Sequence, residues 1–163
     1  MAETFNADEI LQIAERIERN GAEFYRQAAE RADRPKAKAL LKHLVDFEQQ
    51  HQAVFAQMRA QLQASSGFEA IDPQGESAQY LRAMADRHVF DPSANPAQRL
   101  KNADSLDAIF AIALDAEKDS IAFYLGIIEV VPPEFGREKV DRIIREEMSH
   151  VTQLIREMKT IEV

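Results

Sequence analysis

Cysteine is absent from the chain. With it go disulfides, zinc ribbons, iron–sulfur clusters and thiol nucleophiles, so any bound metal must be held by nitrogen and oxygen. Glycine is scarce, five in 163 residues, and long stretches carry no proline. A chain so poor in breakers, yet rich in Ala, Leu, Glu, Gln and Arg, predicts helices rather than strands. No apolar run approaches the roughly 20 residues of a membrane span. The opening MAETFNADEILQIAERIERNG also lacks the basic start and continuous apolar run of a secretion signal. The expectation is a cytoplasmic protein with no membrane partner. An excess of positive charge is missing too: the net charge of −8 has the wrong sign for a nucleic-acid surface, which sets clustered Lys and Arg against phosphate.

What is present is a succession of long amphipathic segments, and the length fits one domain over residues 1–163. A first helix is predicted after Asn6, an N-cap residue with Glu9 three positions on to close a capping box, and runs to about Ala32, where DRP breaks it. A second runs from about Pro35 to about Ala64, before SSG and DPQG mark a loop. From Ser65 to about residue 104 the chain is more polar, with Pro73, Pro92 and Pro96 around one short helical stretch, ESAQYLRAMADRHVF. A third helix starts near Ser105 and ends before Pro132 and Pro133; a fourth starts between Glu134 and Arg137 and runs almost to Val163. Two hairpins, about 7–64 and 105–163, joined by a long crossover with a short helix in it, predict an all-α four-helix bundle of ferritin-like connectivity.

The two hairpins repeat one pattern. An ungapped offset of 99 residues carries Glu18 to Glu117, Tyr25 to Tyr124, Glu48 to Glu147 and His51 to His150, and it also carries Phe24 to Phe123, Leu41 to Val140 and Leu44 to Ile143. On helices, positions three and four apart share a face. The second helix then presents Ala37, Leu41, Leu44, Glu48, His51, Phe55, Met58 and Leu62 as one stripe, and the fourth presents Val140, Ile143, Glu147, His150, Leu154 and Met158. Glu18 falls on the stripe of Leu11, Ala14, Gly21 and Tyr25, and Glu117 on that of Leu106, Phe110, Ala113, Ser120, Tyr124 and Ile128. Each helix aims one Glu into the core. Glu15 and Glu146 fall off these stripes and read as solvated surface. Each hairpin turn lies midway between its two acids, which puts all four about 20 Å from a turn and so at one level.

Four carboxylates buried at one level repel one another, and each isolated ion would cost several kcal/mol or take up a proton. Two divalent cations cancel the four charges. One Glu from each of two helices, with a Glu-x-x-His from each of the other two, is the donor set of di-iron and di-manganese carboxylate bundles. Oxygen and imidazole donors suit Fe or Mn, and Zn is a further possibility.

With IERNGAEFY and DAEKDSIAFY followed by FEQQH and EEMSH, the chain resembles the rubrerythrin family of the ferritin-like superfamily over both hairpins. The resemblance implies that Glu18 and Glu117 are terminal carboxylate ligands, that Glu48 and Glu147 bridge two iron ions, and that His51 and His150 each cap one of them. It also implies a role for Tyr25 and Tyr124 as hydroxyl donors beside the ligands; from the residues alone, two core aromatics with satisfied hydroxyls fit equally well. The implied activity is reduction of hydrogen peroxide or oxygen with electrons from an external donor such as rubredoxin or a flavoprotein, in a homodimer. Two departures stand out: the chain lacks the four cysteines of a rubredoxin-like centre, and Ser120 occupies the place of an additional Glu one turn after Glu117. Gly21 and Ser120 are read as leaving room for an oxidant beside the terminal acids. The same site also suits iron oxidation and handling, or a static metal pair without turnover. His43 and His88 lack a Glu three residues before them and read as structural or exposed, and Met58, Met158, Phe24 and Phe123 read as packing.

Overall fold

A computed structural model describes residues 7–65, 76–85 and 96–161. Among them are six α-helices: α1 (Ala7–Arg31), α2 (Pro35–Ala64), α3 (Glu76–Ala85), α4 (Pro96–Arg99), α5 (Leu106–Val130) and α6 (Arg137–Ile161), with 3₁₀ turns at Leu100–Asn102 and Pro133–Phe135. The predicted third and fourth helices are α5 and α6. The proposed Asn6 cap, His88 and most of the loop after α2 lie outside the described residues.

Local chemistry sets the helix ends. In α1, Asp8 and Glu9 occupy the first turn and Arg31 the last, each sign opposing the helix dipole at its own end. Pro35 opens α2 behind an extended Arg34, where a missing N–H costs nothing. Ser105 caps α5 by accepting the Ala108 N–H at 3.2 Å. At the other end of α5, Val131 turns extended ahead of Pro132, as a residue before proline must.

α1 packs antiparallel on α2 and α5 on α6, while α1 meets α5 and α2 meets α6, which closes the bundle. The buried residues of α2 are the eight of its predicted stripe. On α5 the buried face is wider than predicted: Ile127 and Val130 are buried, whereas Leu106, Ser120 and Ile128 are only partly so. The reason is α3, which covers a second side of α5. Tyr80 Oη donates to the Ala122 carbonyl at 2.7 Å, and a Cβ on Gly126 would meet Leu81 Cδ2 at 2.7 Å, so the absent side chain lets α3 approach.

Pro96, read as part of an irregular crossover, instead opens α4, whose first-turn position tolerates proline. The turn that follows α4 is tied to α1 through Arg31, whose guanidinium donates to the carbonyls of Leu100 and Ala103. No helix among the described residues is long and apolar enough to cross a membrane. Among the described residues the apolar interior forms two clusters, one around Phe55, Met58 and Ile143 and the other around Phe24, Leu41, Leu44 and Phe110. The polar residues of the core sit between them in sequence along each long helix.

Candidate metal centre

All six residues of the predicted donor set come together, and none is more than 5% exposed. Glu18 comes from α1, Glu48 and His51 from α2, Glu117 from α5, and Glu147 and His150 from α6. They form two overlapping groups. Glu18, Glu48, His51 and Glu147 offer four ligand atoms within 4.8 Å of one another, and Glu48, Glu117, Glu147 and His150 offer another four on the same criterion. Glu48 and Glu147 belong to both.

The imidazoles point their Nδ1 atoms inward. Glu147 is hydrogen-bonded to both rings, Oε1 to His51 Nδ1 and Oε2 to His150 Nδ1, each at 2.9 Å. His51 Nδ1 also stands 3.5 Å from Glu18 Oε2, and His150 Nδ1 stands 3.5 Å from Glu117 Oε1. The rings lie nearly parallel, 22° apart, with centroids separated by 5.8 Å.

The tyrosines cross between repeats. Tyr25 Oη donates to Glu117 and Tyr124 Oη donates to Glu18, so each hairpin's phenol holds the other hairpin's lone acid. Burial and then the neighbouring carboxylates raise both phenols well above their ordinary value, which keeps them protonated as donors.

The electrostatics show what four buried acids require. Burial, then the charges of Glu147, Glu18 and Glu117, pushes Glu48 well above the usual carboxylate range; burial and Glu117 do the same to Glu147. Burial pulls the His51 imidazole down, but the carboxylates of Glu147 and Glu18 outweigh it and raise it to about 10. Burial likewise pushes Glu117 up, yet hydrogen bonds from Glu147, His150 and Tyr25 prevail and leave it lowered. In the absence of cations the cluster therefore gathers protons, and two dications would neutralise the same four charges. The buried Glu18 Oε2 has no well-formed hydrogen bond among the described residues. An acceptor left in this way, amid hard oxygens and inward imidazole nitrogens, fits a pair of divalent metals.

Three expectations need correction. Glu146 is not solvated surface: its Oε2 lies 2.8 Å from His51 Nε2 and its Oε1 lies 3.7 Å from Arg142, with the side chain one third exposed. Nothing in its own helix signals this, because its partner is on α2. Nor does Gly21 leave room for an oxidant. A Cβ there would overlap Glu48 Oε2 and sit 3.0 Å from Cδ, so the Glu48 carboxylate itself occupies that space. Ser120, its counterpart, donates its hydroxyl to the Ala116 carbonyl at 3.0 Å. Glu15, the other acid read as surface, is partly buried and 3.7 Å from Arg59. His43 is exposed, packs edge-on against Phe47 and belongs to neither donor group, while Phe24, Phe123 and Met58 are buried in the apolar clusters.

The Rubrerythrin family model matches residues 9–159, a span that contains every residue of the cluster. No curated protein matches the chain. A solved structure from Thermotoga maritima, described as a ferritin-like diiron-carboxylate protein, is similar over 100% of both chains with a TM-score of 0.68 and 24% sequence identity. At that identity the likeness speaks for the fold: a ferritin-like helical bundle.

Proposed function

This chain belongs to the rubrerythrin family, and we propose that its buried Glu and His cluster holds two iron ions and reduces hydrogen peroxide or oxygen with electrons from a separate donor. The observation that carries the reading is the pair of four-residue donor sets that share Glu48 and Glu147. Glu48 and Glu147 would be shared by the two ions, Glu18 and Glu117 would each serve one of them, and His51 and His150 would each offer an Nδ1. A ferrous pair supplies two electrons, enough with two protons to convert hydrogen peroxide into two waters.

The chain's own part is to assemble and hold that pair. Its four carboxylates balance two dications, so burial no longer requires the protons that Glu48 and Glu147 otherwise take up. Tyr25 and Tyr124 fix the terminal acids by hydrogen bonds from across the bundle. The flanking apolar clusters keep bulk water away from the ligands and so strengthen every charge interaction among them. With no cysteine for an electron-transfer iron centre, the chain calls for an external donor, such as a rubredoxin or a flavoprotein. A homodimer is the proposed assembly; a closed shell of many copies in light scattering would favour iron storage instead.

The test is stopped-flow oxidation of protein loaded anaerobically with Fe(II), mixed with equal concentrations of H₂O₂ and O₂. Faster oxidation by peroxide supports a peroxidase; oxygen reacting as fast or faster moves an oxidase or iron-handling role ahead. Normal iron binding and turnover in Glu147→Ala would sink the di-iron reading.

A further inference from the structure

The repeat makes the two halves of the cluster nearly equivalent, and the structure shows one place where they part. Subtracting the 99-residue offset from Glu146 gives Phe47. Each of these residues sits beside the imidazole of the opposite hairpin. Glu146, on α6, places Oε2 2.8 Å from His51 Nε2. Phe47, on α2, sets its ring edge-on to His150, with centroids 5.0 Å apart. His150 Nε2 is buried with no hydrogen-bond partner among the described residues.

We infer that Glu146 makes the two metal positions unequal: by accepting the outward N–H of His51 it orients that ring and favours metal binding at the position of Glu18 and His51 over that of Glu117 and His150. The inference rests on the two-metal reading above. Its physical reason is the behaviour of a metal-bound imidazole. A histidine that gives Nδ1 to a metal keeps its proton on Nε2, and an anionic acceptor for that proton locks the tautomer and makes Nδ1 a better donor. His51 has this acceptor. His150 meets an aromatic ring instead, which supplies neither the charge nor the directional bond. Glu146 is a positioning residue that acts through His51, and Arg142, 3.7 Å from its second oxygen, helps to hold it. Loss of such a carboxylate typically weakens metal binding by about ten- to a hundredfold.

The experiment is a stepwise Co(II) titration of the metal-free, full-length protein, followed by the cobalt visible bands, on wild type, Glu146→Gln, Glu146→Leu and Phe47→Glu. Wild type should fill in two resolved steps. Glu146→Leu should weaken the tight step by about ten- to a hundredfold and spare the other. Glu146→Gln, which keeps an acceptor oxygen without the charge, should fall between them, and Phe47→Glu should tighten the weak step. Proton NMR of the Zn(II)-loaded protein gives a second reading. His51 Nε2–H should appear as a downfield, slowly exchanging signal that Glu146→Leu abolishes while the His150 ligand signals persist; melting of each metal-free variant checks that it folds. Two equal steps in wild type, or equal weakening of both steps in Glu146→Leu, overturns the inference and leaves the two-metal reading standing. Binding of fewer than two Co(II) ions by wild type overturns both.

Discussion

The replacement Gly21→Ala separates the metal centre from the fold that carries it, because the fold should be nearly indifferent to it while metal binding suffers. Gly21 lies in the interior of α1, where glycine costs about 0.5–1 kcal/mol relative to alanine. An added Cβ would overlap Glu48 Oε2 and stand 3.0 Å from Glu48 Cδ, with Cγ at 3.5 Å. Ordinary carbon–carbon contact begins near 3.5 Å, so the carboxylate must retreat by about 0.5–1 Å. It is the far end of a flexible side chain and can do so at the cost of an off-rotamer torsion, of order 0.5–1.5 kcal/mol. The metal-free variant should therefore melt within about 1 kcal/mol of wild type, the helix gain offsetting the strain. The centre has no such compensation. Glu48 is in both donor sets, so one displaced carboxylate weakens two positions at once. A tenfold loss at each removes about 2.7 kcal/mol of metal-linked stabilisation when free metal is well above both dissociation constants. For a chain of this size that is roughly 5–10 °C of the rise in melting temperature that metal produces. The assay is thermal denaturation by circular dichroism with chelator and with added Co(II) or Fe(II). A variant that keeps the whole metal-induced rise refutes the reasoning, as does one that unfolds without metal.

Four further outcomes follow from the same geometry. In the presence of chelator, stability should fall as pH rises. Folded Glu48, Glu147 and His51 hold protons beyond the ordinary values of 4.5 and 6.5, so the folded state binds more protons; the His51 contribution is full below about 6.5 and fades towards about 10. Each such proton contributes a slope of about 1.4 kcal/mol per pH unit, and a melting temperature that rises between pH 6.5 and 9 contradicts this. Metal-induced stabilisation should grow over that interval, since the ligands must lose those protons to bind. Tyr25→Phe and Tyr124→Phe each remove a hydroxyl from a buried carboxylate, a loss of about 1.5–3 kcal/mol measurable by urea unfolding. Phe55→Ala empties a fully buried site against Tyr124, whose ring centroid is 5.1 Å away, and should cost about 3–5 kcal/mol; a loss under 1 kcal/mol would mean that the site collapses.

How much of this was legible without coordinates depends on how many helices a feature involves. The stripe that buries Glu48 and His51 in α2 is a property of one helix, and a period of 3.6 residues suffices to place it. The 99-residue offset and the near-equal arms of the hairpins bring the four acids to one level, because a helix rises by a constant 1.5 Å per residue. Glu146 and Gly21 resist that treatment. Taken singly, Glu146 is the neighbour of a buried acid on a partly exposed flank, and Gly21 is a small residue beside another; what they do depends on which side chain of α2 each one meets. Pro96 shows the same limit from the other direction, since proline disrupts a helix interior but suits a first turn, and Arg31 holds the turn that follows that helix against α1. The sequence by itself determined the four long helices, most of their buried faces and the common level of the four acids and two histidines, since each follows from periodicity within one hairpin and from its repeat in the other. Only the tertiary structure decided that Tyr25 and Tyr124 cross to the opposite acids, that Glu48 fills the space above Gly21, and that Glu146 supports one histidine and not its twin. Those contacts depend on the rotation and spacing of one helix against the next, which side-chain packing sets and a pattern along a single helix does not record.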